Sequence, residues 1–344
     1  MHIFIDESGT FSGIGNSAPA LSALGALVIP DHKIGLVLKK YRKLRPTLST
    51  RKGEVKGSLL SESQVASVVT ILRVNGCIFT AAATDMALHS LADIKSSQAS
   101  RVASLAANLH DGHTPELRNG VAQLQARLKK FSPQLYMQLL LTVELLHRVM
   151  NEAIVYHCQR NPKELAKFHW IIDGKEAHGV ITNWEDWWSN TIVVWLQALS
   201  LVRPGNFLSD GDYHHLDRFF MELPRYLTDQ VKPDLADKVG LNLQLIFRES
   251  FRFSSDPEPG LELVDIITNA LRRGLVGNLG DEGWLPIRTI MIHRSECYIA
   301  LLGVTDTRSV RDQPYNSRLN HFKQGGRNMM TDRRYEDLTG ADSH

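Results

Sequence analysis

The sequence predicts an α/β fold: a mixed sheet flanked by helices, with a helical block inserted between its strands. Three observations predict it. Short apolar runs of β type open the chain and return in its second half, at Phe168 to Ile172. Segments of helical periodicity alternate with them. A helix follows the last core strand.

In chain order, residues 1–12 read as strand and turn, and Leu21 to Ile29 as a second strand closed by Pro30-Asp31. The two can pair antiparallel across the loop Gly13-Ile14-Gly15-Asn16. Asp31 is placed to cap a helix that runs to about Arg45, where Pro46 ends it. Ser61 to Val74 reads as a helix, because Ser61 can cap it, Gln64 stands three residues on and Gly76 follows its end. Cys77 to Ala83 is a third strand. Residues 86–165 carry helical periodicity without strand signal, and Leu135 to Cys158 is apolar on most faces, as in a buried helix. After the strand at Phe168 to Ile172, a helix starts at Asn183-Trp184-Glu185-Asp186 and ends before Pro204-Gly205. Residues 213–230 read as a helix, Leu241 to Phe247 as a strand, Pro259 to about Leu275 as a helix, and Arg288 to Val304 as a hairpin. From Thr305 the polar composition predicts a weakly ordered tail. The chain thus divides into a first part of the core at 1–85, a helical insertion at 86–165, a second part of the core at 166–276, and a hairpin and tail at 277–344.

At 344 residues, 43% hydrophobic and 22% charged, the balance is that of an ordinary globular protein. The net charge of +2 names no partner by itself. Cys77, Cys158 and Cys297 are odd in number and lack zinc-finger spacing, so neither a disulfide framework nor a cysteine metal site is expected. No signal peptide is recognised, and Glu144, His147, Arg148 and Glu152 interrupt the most apolar segment. The expectation is a cytoplasmic protein with no membrane span. Neither a Gly-x-x-x-x-Gly-Lys-Ser/Thr loop nor a Gly-x-Ser-x-Gly elbow is present, which leaves an ATPase and an α/β-hydrolase unsupported.

The chemistry lies at the ends of two apolar runs. Met1-His2-Ile3-Phe4-Ile5 leads into Asp6-Glu7-Ser8-Gly9, and Phe168-His169-Trp170-Ile171-Ile172 into Asp173-Gly174-Lys175. A buried strand seldom ends in an unpaired carboxylate, because burying that charge is costly. Two such ends imply a positive partner between them, and a divalent metal is the most economical one. A third signal is the helix from Pro259, where Glu262, Asp265, Asn269 and Arg272 share one stripe among apolar residues. An isolated Asp265 reads as part of a solvated face; three carboxylate-bearing elements together shift that balance.

These motifs, Asp6-Glu7-Ser8-Gly9 after an apolar run, a middle run ending in Asp173, and Gly260-Leu261-Glu262-Leu263-Val264-Asp265 on a late helix, resemble the bacterial "domain of unknown function 3800" family. Glu54-Val55-Lys56-Gly57 fits the short Glu/Lys motif of that family. The resemblance spans roughly residues 1–275 and departs at Glu262 and Val264, where Gln and Ala are more usual. It implies a ribonuclease H-like core with carboxylates on two neighbouring strands and on flanking helices. It further implies two Mg²⁺ or Mn²⁺ ions that stabilise the attacking water and the leaving oxygen of a phosphodiester. Residue by residue, Asp6 and Asp173 become the central ligands and Asp265 the late-helix ligand. Glu7 or Glu54 completes the site, and Glu262 is either a further ligand or an exposed side chain. Lys56 is either a fixed cation at the scissile phosphate or a solvated lysine, and Lys175 shares that ambiguity. Ser8 orients a ligand or caps a turn.

Nine basic residues fall between Lys33 and Lys56 against one acid, Glu54. Lys39, Lys40, Arg42, Lys43, Arg45, Arg51 and Lys52 form the expected phosphate-tracking surface, the alternative being a solvated helix face. Arg308, Arg311, Arg318, Lys323, Arg327, Arg333 and Arg334 in the tail are a weaker candidate. Trp184, Trp187, Trp188, Thr191, Trp195 and Leu199 follow helical spacing and read as a core stripe sooner than as a base-stacking platform. His110, His113, His214 and His215 lack a zinc pattern and read as surface. The first reading is therefore a Mg²⁺- or Mn²⁺-dependent nuclease acting on RNA or DNA. A catalytically silent nucleic-acid-binding or assembly protein of the same fold is the second, and a phosphohydrolase on a small nucleotide the third. The helical insertion is where a protein partner or a second copy is expected.

Overall fold

The computed structural model describes residues 1–107, 109–174, 187–222, 239–304 and 313–331. Its centre is a six-stranded mixed sheet. Strands β1 (His2–Ser8), β2 (Leu21–Ile29), β5 (Ile78–Asp85), β6 (His169–Asp173), β9 (Phe251–Ser254) and β10 (Ile299–Leu301) stand in the order β10-β5-β2-β1-β6-β9. Strands β1, β2 and β5 form an antiparallel meander, while β6 runs parallel to β1, β9 to β6 and β10 to β5. Two short antiparallel pairs complete the strands: β3 (Thr50–Arg51) with β4 (Glu54–Val55), a hairpin, and β7 (Phe220–Glu222) with β8 (Val239–Leu241).

Period-2 alternation divides the core into two layers. Ile3, Ile5, Leu24, Ala26 and Val28 face one side, packed with helices α3 (Leu91–Ser104), α4 (Pro115–Lys129) and α5 (Pro133–Arg160). Phe4, Ala23, Leu27 and Ile29 face the other, packed with α1 (Asp31–Leu44), α2 (Glu62–Val74) and the late helix α7 (Pro259–Val276); α6 is Val193–Val202. Helix α7 lies directly over β1 and β2. It buries Leu263, Val264, Ile266, Ile267 and Leu271, each such side chain contributing roughly 1.5–3 kcal/mol. Its approach is close because Gly25 on β2 has no Cβ: one built there would stand 2.0 Å from Thr268 Oγ1.

Helix ends follow the expected chemistry. Ser61 accepts from Gln64 N–H and Gln64 reciprocates, a complete capping box. Asp31 is the first helical residue of α1, with Pro30 in the cap position. Helix α5 is buried as expected, and its charged residues find partners. Glu144 pairs with Arg148 at 2.8 Å and Arg203 at 2.6 Å, and Glu152 pairs with Arg294 at 2.5 Å. None of the three cysteines forms a disulfide. Trp187, Trp188, Thr191 and Trp195 are buried, in keeping with a core stripe; Trp184 and Asn183 lie outside the described residues.

The second half corrects several expectations. Leu241 to Phe247 is not a core strand: β8 ends at Leu241 and residues Leu243–Arg248 form a short helix capped by Asn242. The core strand is β9, four residues further on. Within 213–230, the described residues hold a 3-10 turn at Asp217–Phe219 and strand β7 in place of a helix. Arg288 to Val304 is no hairpin. Leu285–Ile290 is a 3-10 helix, and β10 pairs in parallel with β5, which a local hairpin cannot do.

Candidate metal centre

Strands β1 and β6 are neighbours in parallel register, Ile5 opposite Ile172. The next residue on each is therefore Asp6 and Asp173, at the carboxyl ends where open α/β sheets place their ligands. Alternation puts both on the α7 face, two residues beyond Phe4 and Ile171, which share a register position and a core layer. Helix α7 brings the third carboxylate. Asp265 stands close enough to Asp6 that the two carboxyls influence each other, and its Oδ2 accepts the Gly57 N–H at 2.8 Å.

The electrostatics record the crowding. Burial and the charges of Asp173 and Asp265 push the Asp6 carboxyl well above the ordinary range, against a restraining hydrogen bond from Glu7 N–H at 2.7 Å. Burial also pushes Asp265 up, opposed chiefly by the Gly57 N–H and the Lys56 charge.

The hairpin β3–β4 and the turn after it close one side. Lys52 and Gly53 both have positive φ (54° and 82°), as a two-residue primed turn requires. Gly57 approaches α7 so closely that a Cβ there would lie 2.8 Å from Ile266 Cα and Asn269 Cβ. Lys56 is partly exposed, and its Nζ donates to Glu54 Oε1 at 2.7 Å. Burial alone would lower its pKa; the bond to Glu54 and the charges of Glu54, Asp265 and Asp173 outweigh it and raise it. Glu54 and Lys56 thus border the aspartates as an ion pair. Lys175 lies outside the described residues.

The stripe on α7 is an interior seam. Glu262 is buried and accepts from Arg45 Nε at 2.8 Å, Arg45 Nη2 at 2.7 Å, Tyr41 OH at 2.9 Å and Val55 N–H at 3.2 Å. Burial would raise its pKa, but Arg45, Val55 N–H and Tyr41 together hold it below the usual carboxylate range. These bonds correct the expectation of Glu262 as an ion ligand or exposed residue: it ties the hairpin to α1 and α7. Arg45 is corrected with it, since its guanidinium serves Glu262 and Gly53 O (2.8 Å) in place of a phosphate. Further along, Asn269 Nδ2 and Arg272 Nε donate to the buried Ser8 Oγ at 3.2 and 2.9 Å. Ser8 thus anchors the end of β1 to α7. Glu7 sits on the opposite face from Asp6, where Gln138 of α5 donates to its Oε2 at 3.0 Å, and this placement disfavours it as a shared ligand.

Of the expected nucleic-acid surface, Lys39, Arg42 and Lys43 on α1 and Arg51 and Lys52 on the hairpin are exposed. Lys40 bends onto Asn75 Oδ1 at 3.3 Å. In the tail, Arg318 and Arg327 donate to Leu275 O and Arg73 O, while Arg308, Arg311, Arg333 and Arg334 lie outside the described residues. No helix among the described residues is long and apolar enough to cross a membrane.

Tyr41 and the Gly57 N–H could not be read from the sequence, because their roles depend on contacts distant in the chain. Neither could the grouping of His2, Asp31 and His169. Among the described residues, these three are the one histidine/carboxylate group whose ligand atoms all lie within 4.8 Å of one another. The three aspartates are spread more widely. No protein-family model matches the chain, and neither the curated proteins nor the solved structures yield a match.

Proposed function

We propose that the chain is a Mg²⁺- or Mn²⁺-dependent nuclease with a ribonuclease H-like core, as its resemblance to the "domain of unknown function 3800" family implies. One observation carries the reading: aspartates from three separate elements meet at the carboxyl ends of β1 and β6, where burial and the charges of the other two push the Asp6 carboxyl upward. Carboxylate oxygens in mutual repulsion fit a hard dication. Asp6, Asp173 and Asp265 would hold it, with Glu54 within the same neighbourhood. When bound, such ions polarise a phosphodiester and activate water. The chain's own residues orient the site. Gly57 N–H fixes Asp265, Ser8 holds the end of β1 against α7, and Lys56 supplies a partly exposed cation for a phosphate oxygen. Exposed cations on α1 and the hairpin lie on the same side of the sheet and suit a polyanion.

The test is cleavage of single-stranded RNA, single-stranded DNA, both duplexes and an RNA–DNA hybrid, with Mg²⁺ or Mn²⁺. Cleavage that is lost in EDTA and falls by about 100-fold or more in folded Asp265→Asn protein supports the reading. Equal metal-dependent rates in wild type and variant remove Asp265 from the mechanism. One observation favours the silent nucleic-acid-binding alternative: the Gly57 N–H on Asp265 and the Glu54–Lys56 pair give these side chains partners without an ion. Tight binding without cleavage of any substrate is that alternative's outcome.

A further inference from the structure

We propose that His2, His169 and Asp31 form a second metal site, for a borderline transition ion such as Zn²⁺, at the end of the sheet remote from the aspartates. His2 and His169 occupy one register position on the adjacent parallel strands β1 and β6, and their rings stack with centroids 4.5 Å apart. Asp31, first residue of α1, places Oδ1 3.0 Å from His2 Nε2. The three ligand atoms all lie within 4.8 Å of one another. Ligands about 2.0–2.1 Å from a tetrahedral Zn²⁺ stand roughly 3.3 Å apart, so small side-chain rotations close the site.

Each ligand is held by an outer contact, as metal ligands generally are. His169 Nδ1 meets Ser250 Oγ at 2.8 Å, on the β9 side of β6, which leaves Nε2 facing β1 and His2. The Asp31 N–H donates to Glu164 Oε2 at 2.6 Å, which fixes the start of α1 beside the strands. Pairing on both edges of β1 fixes His2. Two imidazoles and one carboxylate are a donor set for Zn²⁺, Co²⁺ or Ni²⁺, whereas the oxygen-only aspartates suit Mg²⁺ or Mn²⁺. Asp6 lies four positions along β1 from His2, about 13 Å at strand rise, so the two sites share no ligand. Asp31 is exposed, which leaves an entry for the ion and room for a water as fourth ligand.

Tag-free protein titrated with Zn²⁺, and with Co²⁺ as a spectroscopic probe, tests the site. The expected result is one tight equivalent with micromolar or lower Kd, visible d–d absorption from bound Co²⁺, and a Zn²⁺-dependent rise in Tm. His169→Gln and Asp31→Asn should each weaken this binding by about tenfold or more, and Asp173→Asn should leave it unchanged. If His169→Gln fails to fold, Asp31→Asn carries the test, since its side chain is exposed. Absence of binding to wild type up to about 1 mM overturns the proposal and leaves His2–Asp31 a plain hydrogen bond. Binding that survives in either folded variant overturns it as well, and assigns the ion to surface histidines such as His110 and His113 or His214 and His215.

Discussion

Asp6 concentrates the electrostatic cost of the aspartate site, and that cost has a pH signature. Its folded-state pKa lies well above its unfolded value. Below the ordinary carboxylate range Asp6 is protonated in both states and costs nothing. As pH rises from that range through the folded pKa, the unfolded chain releases its proton more readily, and stability is lost. Asp6→Asn should therefore raise Tm at neutral pH in EDTA, with the gain shrinking toward zero near pH 3. A thermal melt series across pH checks this; a gain independent of pH would place its origin in packing. Asp6, Asp173 and Asp265 were legible because each interrupts an apolar run, where an unpaired charge is costly. The same rule has a counterexample in Asp85, which ends β5 in the core. Its carboxylate accepts from Ala87 N–H and, from remote parts of the chain, from Ala20 N–H and Tyr315 OH, so protein donors satisfy it. Glu262 was misassigned for the same reason: its partners Arg45 and Tyr41 lie over 200 residues away, and a stripe on a helix does not show what it faces.

At the scale of elements, α7 and the segment from β3 to Gly57 make the site between them. The fit depends on Gly57, where any side chain meets the backbone of α7. Gly57→Ala should cost about 2–3 kcal/mol, the range for overpacking at a close contact. It should also lengthen or break the bond to Asp265 and so weaken divalent-ion binding. Denaturant unfolding and an ion titration on the same variant check both; unchanged stability would mean that the turn moves freely. Long helices with capping chemistry, α2, α5 and α7, were legible along their length. The short strands β9 and β10 were not, because three or four residues carry too little periodicity and each pairs with a strand remote in sequence.

For the whole molecule, the sheet separates two chemistries. One face carries the helical block, with Glu7 turned toward it. The other carries the aspartates, the hairpin and the exposed cations Lys39, Arg42 and Lys43 on α1. Replacing these three with Gln should weaken nucleic-acid binding and flatten the slope of log K against log salt by about 2–3, as the released counterions fall in number. An unchanged slope would return α1 to a solvated face. The α/β class, the antiparallel start and the helical block could be read from the sequence. The layer order could not, because it depends on which face of each strand the helices choose. The central claim is that Asp6, Asp173 and Asp265 form one centre for a divalent ion. Calorimetric titration of Mn²⁺ into wild type and into Asp6→Asn, Asp173→Asn and Asp265→Asn tests it most directly. Wild type should bind, and each variant, still folded, should bind about tenfold or more weakly. Equal Mn²⁺ affinity in all four proteins would contradict it.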